Sequence, residues 1–346
     1  MAELVRHHRE ETGAPGVSVA VGAAGRLWLT EAQGYADLEH AAAATPSTPF
    51  RLQSTQKLLT ATAVLRLAAR GLLRLDDPVQ AYCPAFGVRP WPVTVRQLLT
   101  HQGGVRPSDL ADLFNREHYL GASDALRRFV RDTLATRPGT RVLYSNAGYT
   151  LLACALEGAA GRSYDSTLAE LVLRPAGMSV TRDDNPYLVL PGRARYYIVR
   201  TAKNTVQWQG LWTAAHLAEA PLDRPANAHP VDPSWAIGAG SYLGTPSDLV
   251  RFGLALREGD SVFAPAALTE TGEPTGRALG GWVIDSSGTT VRMLGSTWNG
   301  SFGLAIDLER GIVVAIASNI EFDQPGDLVD AILAACRPLA RAATHR

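Results

Sequence analysis

Ser54 and Lys57 stand three residues apart at the head of a run whose apolar residues recur at helical spacing. A serine hydroxyl is a poor nucleophile at neutral pH and needs a neighbouring base. A lysine one turn along the same helix face can be that base, provided desolvation disfavours its charged form. Leu58, Ala61, Leu65, Ala68 and Leu72 predict a helix with one buried face. No proline interrupts it, and Gly71 stands where a C-terminal stop belongs. Ser54 then lies near the helix N-terminus, where backbone N–H groups favour negative charge. The same residues also fit a plain structural reading, an N-capping serine and a solvated lysine. Ser-x-x-Lys does not decide between the two without partners elsewhere in the chain.

Residues 138–149 (Pro-Gly-Thr-Arg-Val-Leu-Tyr-Ser-Asn-Ala-Gly-Tyr) offer such partners. A turn, a short extended piece and a helix leave Tyr144 and Asn146 at the junction. A tyrosine can hold or relay a proton if a lysine stabilises its phenolate. The asparagine amide can fix Lys57 or a substrate carbonyl. A buried tyrosine with a satisfied hydroxyl is the structural alternative.

Residues 16–22 and 27–32 are β-rich and joined by a glycine-containing turn, the pattern of a hairpin, with Gly34–Ala36 continuing the second strand. A short helix is expected at 94–99, capped by Thr94, and a longer amphipathic one at 123–134, starting at Ser123. Two more fall at 146–158 and 166–173, followed by long loops across 183–235. Beyond Gly238, a helix at 246–257 capped by Ser247 precedes a four-strand meander at 281–285, 291–295, 301–307 and 312–318. A helix at 327–341 closes the chain. Strands at both chain ends around a helical insert predict an α/β-plus-α architecture. Residues 1–75 and 236–346 would form the sheet domain, and 76–235 a mainly helical domain whose loops shape a cleft.

The 346 residues, 46% hydrophobic with formal net charge +0, suffice for a sizeable core and give no electrostatic reason to expect a nucleic-acid partner. Apolar runs are far shorter than a membrane span, and the charged N-terminus has no signal-peptide core, so a soluble, cytoplasmic protein is expected. Ala-, Arg- and Gly-rich usage suggests a high-GC bacterial gene. Cys83, Cys154 and Cys336 have no paired or metal-type spacing and are expected to be buried reduced thiols. His7 and His8 with Glu10 and Glu11 could mimic a metal site but fit a solvated helix face better. Trp208, Trp212 and His216 could contact substrate or pack a loop.

Taken in order, Phe50–Lys57, Leu98–Gly104, Pro138–Tyr149, Gly238–Leu256 and Arg292–Asn319 resemble the serine β-lactamase and penicillin-binding-protein superfamily, nearest its class C β-lactamase-like esterases and transacylases. The resemblance implies a β-lactamase-like fold, with an antiparallel sheet of N- and C-terminal strands flanked by helices. It implies Ser54 as acylated nucleophile, Lys57 as its partner and Tyr144 as general base or proton relay, with Asn146 the polar residue of the same motif. The third motif falls on Met293-Leu294-Gly295, and the implied oxyanion hole is the backbone N–H of Ser54 and of Ser296. A cation normally stands where this chain has Met293, which makes a carboxylate-bearing substrate a poor fit. Substrate contacts are then expected from Asn146, Met293, Gly295 and Trp298, and His101 is expected to be structural. No metal-ligand set or phosphate-cradling loop is visible, so no cofactor is expected. The activity implied is acyl transfer from a small-molecule ester, amide or thioester through a Ser54 acyl-enzyme, with hydrolysis favoured. A transacylase of secondary metabolism, using an amine or alcohol acceptor, is the alternative, and a silent binding protein the rival. Neither a nucleic acid nor a membrane is expected as partner.

Overall fold

In the computed structural model, residues 1–199, 224–256, 278–297, 299–321 and 325–343 are described. Helix α1 (Ala2–Thr12) leads into strands β1 (Gly16–Ala23), β2 (Arg26–Asp37), β3 (Ala42–Ala43) and β4 (Phe50–Arg51). Helices α2 (Gln56–Ala69), α3 (Val95–Leu99), α4 (Leu110–Leu113), α5 (Ala122–Ala125), α6 (Asn146–Ala160) and α7 (Tyr164–Leu168) follow. Short strands β5 (Arg182–Asp183), β6 (Tyr197–Val199), β7 (Pro225–Asn227) and β8 (Tyr242–Gly244) come next. The chain ends with α8 (Pro246–Ala255), β9 (Val283–Ile284), β10 (Thr290–Thr297), β11 (Gly300–Asp307), β12 (Ile312–Ser318) and α9 (Pro325–Ala343).

The two ends of the chain meet in one seven-stranded antiparallel sheet, ordered β3-β2-β1-β12-β11-β10-β9, with β1 and β12 side by side at its centre. The expected hairpin and the expected meander are its two halves. Because side chains alternate along a strand, Val17, Val19 and Val21 enter one apolar cluster with Val314, Ile316 and residues of α9, whereas Ala20 and Ala315 enter the larger cluster on the other face. Burying both faces explains why β1, β11 and β12 read as nearly continuous apolar runs. A second, small sheet, β4-β8-β5, carries the chain into α2.

The structure corrects several expectations. Helix α2 is buried nearly all round, with Gln56 to Leu65 all inaccessible, because it lies inside the larger cluster against α6 and α7. The helix expected at 123–134 stops early: α5 passes into a tight turn at Leu126–Arg128, and Phe129 leaves helical geometry with φ −139°. Helix α8 is capped by Thr245, not Ser247, because Pro246 occupies the first helical position. His8 is buried, so the His7–Glu11 face is only partly solvated. Cys83 and Cys154, 71 residues apart, form a disulfide that ties the loop after α2 to α6; of the three cysteines only Cys336 remains a free thiol. Among the described residues no helix is long and apolar enough to cross a membrane.

Candidate active site

Strand β4 ends at Arg51 and turns directly into the nucleophile helix. The Leu52 N–H donates to Tyr242 O at 2.8 Å, and the Thr55 N–H closes the turn on Leu52 O at 3.1 Å. Ser54 sits inside this turn, two residues before α2, and its hydroxyl does not cap the helix. Instead Ser54 Oγ lies 2.6 Å from Tyr144 Oη and accepts a hydrogen bond from Lys57 Nζ at 3.2 Å. Lys57 is fully buried. Its ammonium also donates to Asn146 Oδ1 at 2.7 Å and Ala239 O at 2.8 Å, and lies 4.9 Å from the centre of the Tyr144 ring. A buried ammonium is tolerable only with such acceptors. The capping-serine and solvated-lysine reading therefore does not describe this pair.

Ser145 organises the opposite wall. Its hydroxyl caps α6 by accepting from the Gly148 N–H and donates to Arg106 O, while its own N–H donates to His101 Nδ1. This leaves Tyr144 just outside the helix and Asn146 at its first position. His101 packs against Tyr144 with ring centroids 4.4 Å apart, so it supports the Tyr144 ring. Asn146 Nδ2 donates to Ser108 Oγ at 2.9 Å, which fixes the amide with its oxygen toward Lys57.

The third wall is β10. A Cβ built on Gly295 would lie 2.5 Å from Ser54 N, so only glycine lets strand and turn approach this closely. β9 pairs with β10 only at Val291 and Arg292, which leaves the outer edge beside Ser54 free for the turn. Ser296 turns its side chain away, to Ser301 Oγ at 2.8 Å, so what it can offer the pocket is backbone. Met293 is buried in the apolar core and is not among the residues lining the pocket. Trp298, Trp208, Trp212 and His216 lie outside the described residues.

The pocket at Ser54 is also lined by Arg51, Gln53, Trp235, Thr297 and Asn299, which motif spacing did not single out. Arg51 is buried; desolvation opposes its charge, but Asp184, bonded to its Nε, together with Tyr196 and Asp232, more than offsets this and holds the guanidinium above its ordinary value. Arg193 lies 3.3 Å from the other Asp184 oxygen. Deeper still, Tyr164 holds α2 through Thr60 and Gln56, and burial keeps its phenol neutral well above the ordinary range. The arrangement can activate a hydroxyl, polarise a carbonyl and pass a proton.

Among known proteins, the Beta-lactamase family profile matches residues 1–337. Serine beta-lactamase-like protein LACTB, mitochondrial, of Homo sapiens is 26% identical over 329 residues, covering 75% of this chain and 56% of that protein. The chain thus spans little more than half the length of this curated relative. In fold, it resembles the D-amino acid amidase from Ochrobactrum anthropi SV3, with TM-score 0.78, 22% identity and coverage of 97% and 98% of the two chains. It also resembles EstCE1, described as a hydrolase with promiscuous acyltransferase activity, with TM-score 0.75, 20% identity and coverage of 95% and 96%. The match across nearly the whole chain, and the fold shared with these enzymes, establish that this chain belongs to the Beta-lactamase family.

Proposed function

We propose that the protein is a serine hydrolase that cleaves an ester, amide or thioester of a small molecule through a Ser54 acyl-enzyme. The observation that carries this reading is Ser54 Oγ, placed between Tyr144 Oη at 2.6 Å and Lys57 Nζ at 3.2 Å. Ser54 Oγ attacks the carbonyl carbon while the Tyr144–Lys57 pair, which enters the step one proton short of phenol plus ammonium, takes the Ser54 proton. The carbonyl oxygen, now negative, rests on the N–H groups of Ser54 and Ser296. The bond to the leaving group breaks as the pair returns the proton to it. Water then attacks the acyl ester, gives its proton to the same pair, and Ser54 recovers it.

Lys57 adds weight to the reading, because it is one of only two lysines in a chain with 33 Lys and Arg together. An ammonium retained where arginine serves almost everywhere else fits a role that arginine cannot fill, surrender of a proton. A silent binding protein has no chemical need for it.

A transferase variant, passing the acyl group to an amine or alcohol instead of water, draws support from the fold shared with EstCE1. Met293 puts no cation at the position the resemblance assigns one, and the charged side chain that does line the pocket, Arg51, is already paired with Asp184, which favours an uncharged acyl group. For location, the Cys83–Cys154 disulfide favours an oxidising compartment over the expected cytoplasmic one.

Intact-protein mass spectrometry after brief exposure to p-nitrophenyl esters of graded acyl length tests the proposal. A gain of one acyl mass is expected in the native chain and none in Ser54→Ala, with turnover in the variant lower by about 10⁴-fold or more. Added amines or alcohols that yield new amides or esters would establish the transferase variant. An adduct that persists in Ser54→Ala would sink the assignment.

A further inference from the structure

Gln53, immediately before the proposed nucleophile, has φ +50°, a left-handed conformation that costs a side-chain-bearing residue about 1–2 kcal/mol. Glycine would adopt it at no steric cost. The Gln53 side chain is buried and engaged at both ends: Nε2 donates to Asn299 O at 2.7 Å, and Oε1 accepts from Thr297 Oγ1 at 2.9 Å. Thr297, directly after Ser296, is the last residue of β10, and Asn299 immediately precedes β11. Gly295, directly before Ser296, lies against Ser54 N and the Gln53 Cβ.

We propose that Gln53 is a positioning residue, a two-point clamp that sets the β10–β11 hairpin against the nucleophile turn. The inference rests on the Ser54 acyl-enzyme reading. The two oxyanion donors come from segments more than 240 residues apart in sequence, and their separation must hold to a fraction of an ångström. A glutamine reaches both hydrogen-bonding partners across that gap. Glycine would relax the turn but leave the hairpin unclamped.

The test separates conformation from reach. Gln53→Gly relieves the left-handed strain, and Gln53→Asn favours that conformation yet is one methylene too short for both partners. Strain relief and the lost hydrogen bonds act in opposite directions on Tm. Both variants are therefore expected to shift Tm little while kcat falls by about 10²-fold, with KM changing far less. Thr297→Val removes one of the two bonds, and its loss combined with Gln53→Gly should not exceed that of Gln53→Gly alone. Native kcat in Gln53→Gly, losses that multiply in the double variant, or a change confined to KM would each overturn the clamp. Acylation of Ser54 in the native chain is measured alongside. An adduct formed equally fast by Gln53→Gly defeats only this inference, whereas no adduct in the native chain defeats the hydrolase reading and this one with it.

Discussion

Lys57 and Glu321 are both ionisable, both buried and both close to the end of an element, yet their surroundings are opposite. Lys57, at the start of α2, gives its protons to Asn146 Oδ1, Ala239 O and Ser54 Oγ. Glu321, three residues past β12, has no hydrogen-bond partner for either carboxylate oxygen among the described residues. Burial has raised its pKa to about 10, so it stays protonated at neutral pH. One site meets a charge with acceptors, and the other removes the charge with a proton. Burial of a titratable group therefore does not mark a catalytic site; what marks it is a set of partners aimed at a group that can react.

The sharpest way to break this comparison is Lys57→Arg. Arginine keeps the positive charge and can reach similar acceptors, but it does not give up a proton near neutral pH. If Lys57 served only to balance charge, as a structural cation would, turnover should survive. The proposed mechanism instead predicts a loss of about 10³-fold or more in kcat, measured as p-nitrophenol release. Full activity in this variant would remove Lys57 from the proton path.

Asn146→Leu pushes Lys57 toward the condition of Glu321 by taking away a hydrogen-bond acceptor at 2.7 Å. An unmet donor in a buried site costs about 1–3 kcal/mol. Stability should fall by that amount in urea unfolding, and kcat should fall by about 10–10²-fold as the ammonium loses its fixed position. The loss should be smaller than in Lys57→Arg, since the titratable amine remains. Equal losses in the two variants would show that Asn146 does more than hold Lys57.

These two regions also differ in how far the sequence revealed them. The Ser54–Lys57 spacing, the Tyr144-x-Asn146 junction and both halves of the sheet could be read because local period and turn residues encode them. The all-round burial of α2 could not, since its threonines and Lys57 interrupt the apolar pattern and only tertiary packing covers them. The Thr245-Pro246 pair is a legible helix start, because proline favours the first helical position, and it places the cap two residues before Ser247. The Cys83–Cys154 bond was out of reach, because a 71-residue separation carries no trace of adjacency in space. Gln53 was equally hidden: nothing in its type announces a left-handed turn, and its partners lie at the other end of the chain. Nothing in the local sequence around Glu321 signals its burial.

Glu321→Gln gives the smallest effect on turnover and the clearest one on stability. The folded protein holds the Glu321 proton up to about pH 10, whereas the unfolded chain releases it near the ordinary carboxylate value of about 4.3. The unfolded state therefore binds fewer protons across this interval, and native stability falls as pH rises through it. The slope is at most about 1.4 kcal/mol per pH unit, a ceiling of about 4 kcal/mol between pH 5 and pH 8. Glutamine stays neutral in both states and removes this dependence. It leaves a buried polar group equally short of partners, so it should gain little at pH 5. The variant is expected to melt at nearly the native temperature at pH 5 and several degrees above it at pH 8. A constant offset between the two proteins across that range would mean that Glu321 is ionised in the fold and that a partner meets its charge after all, as acceptors meet that of Lys57.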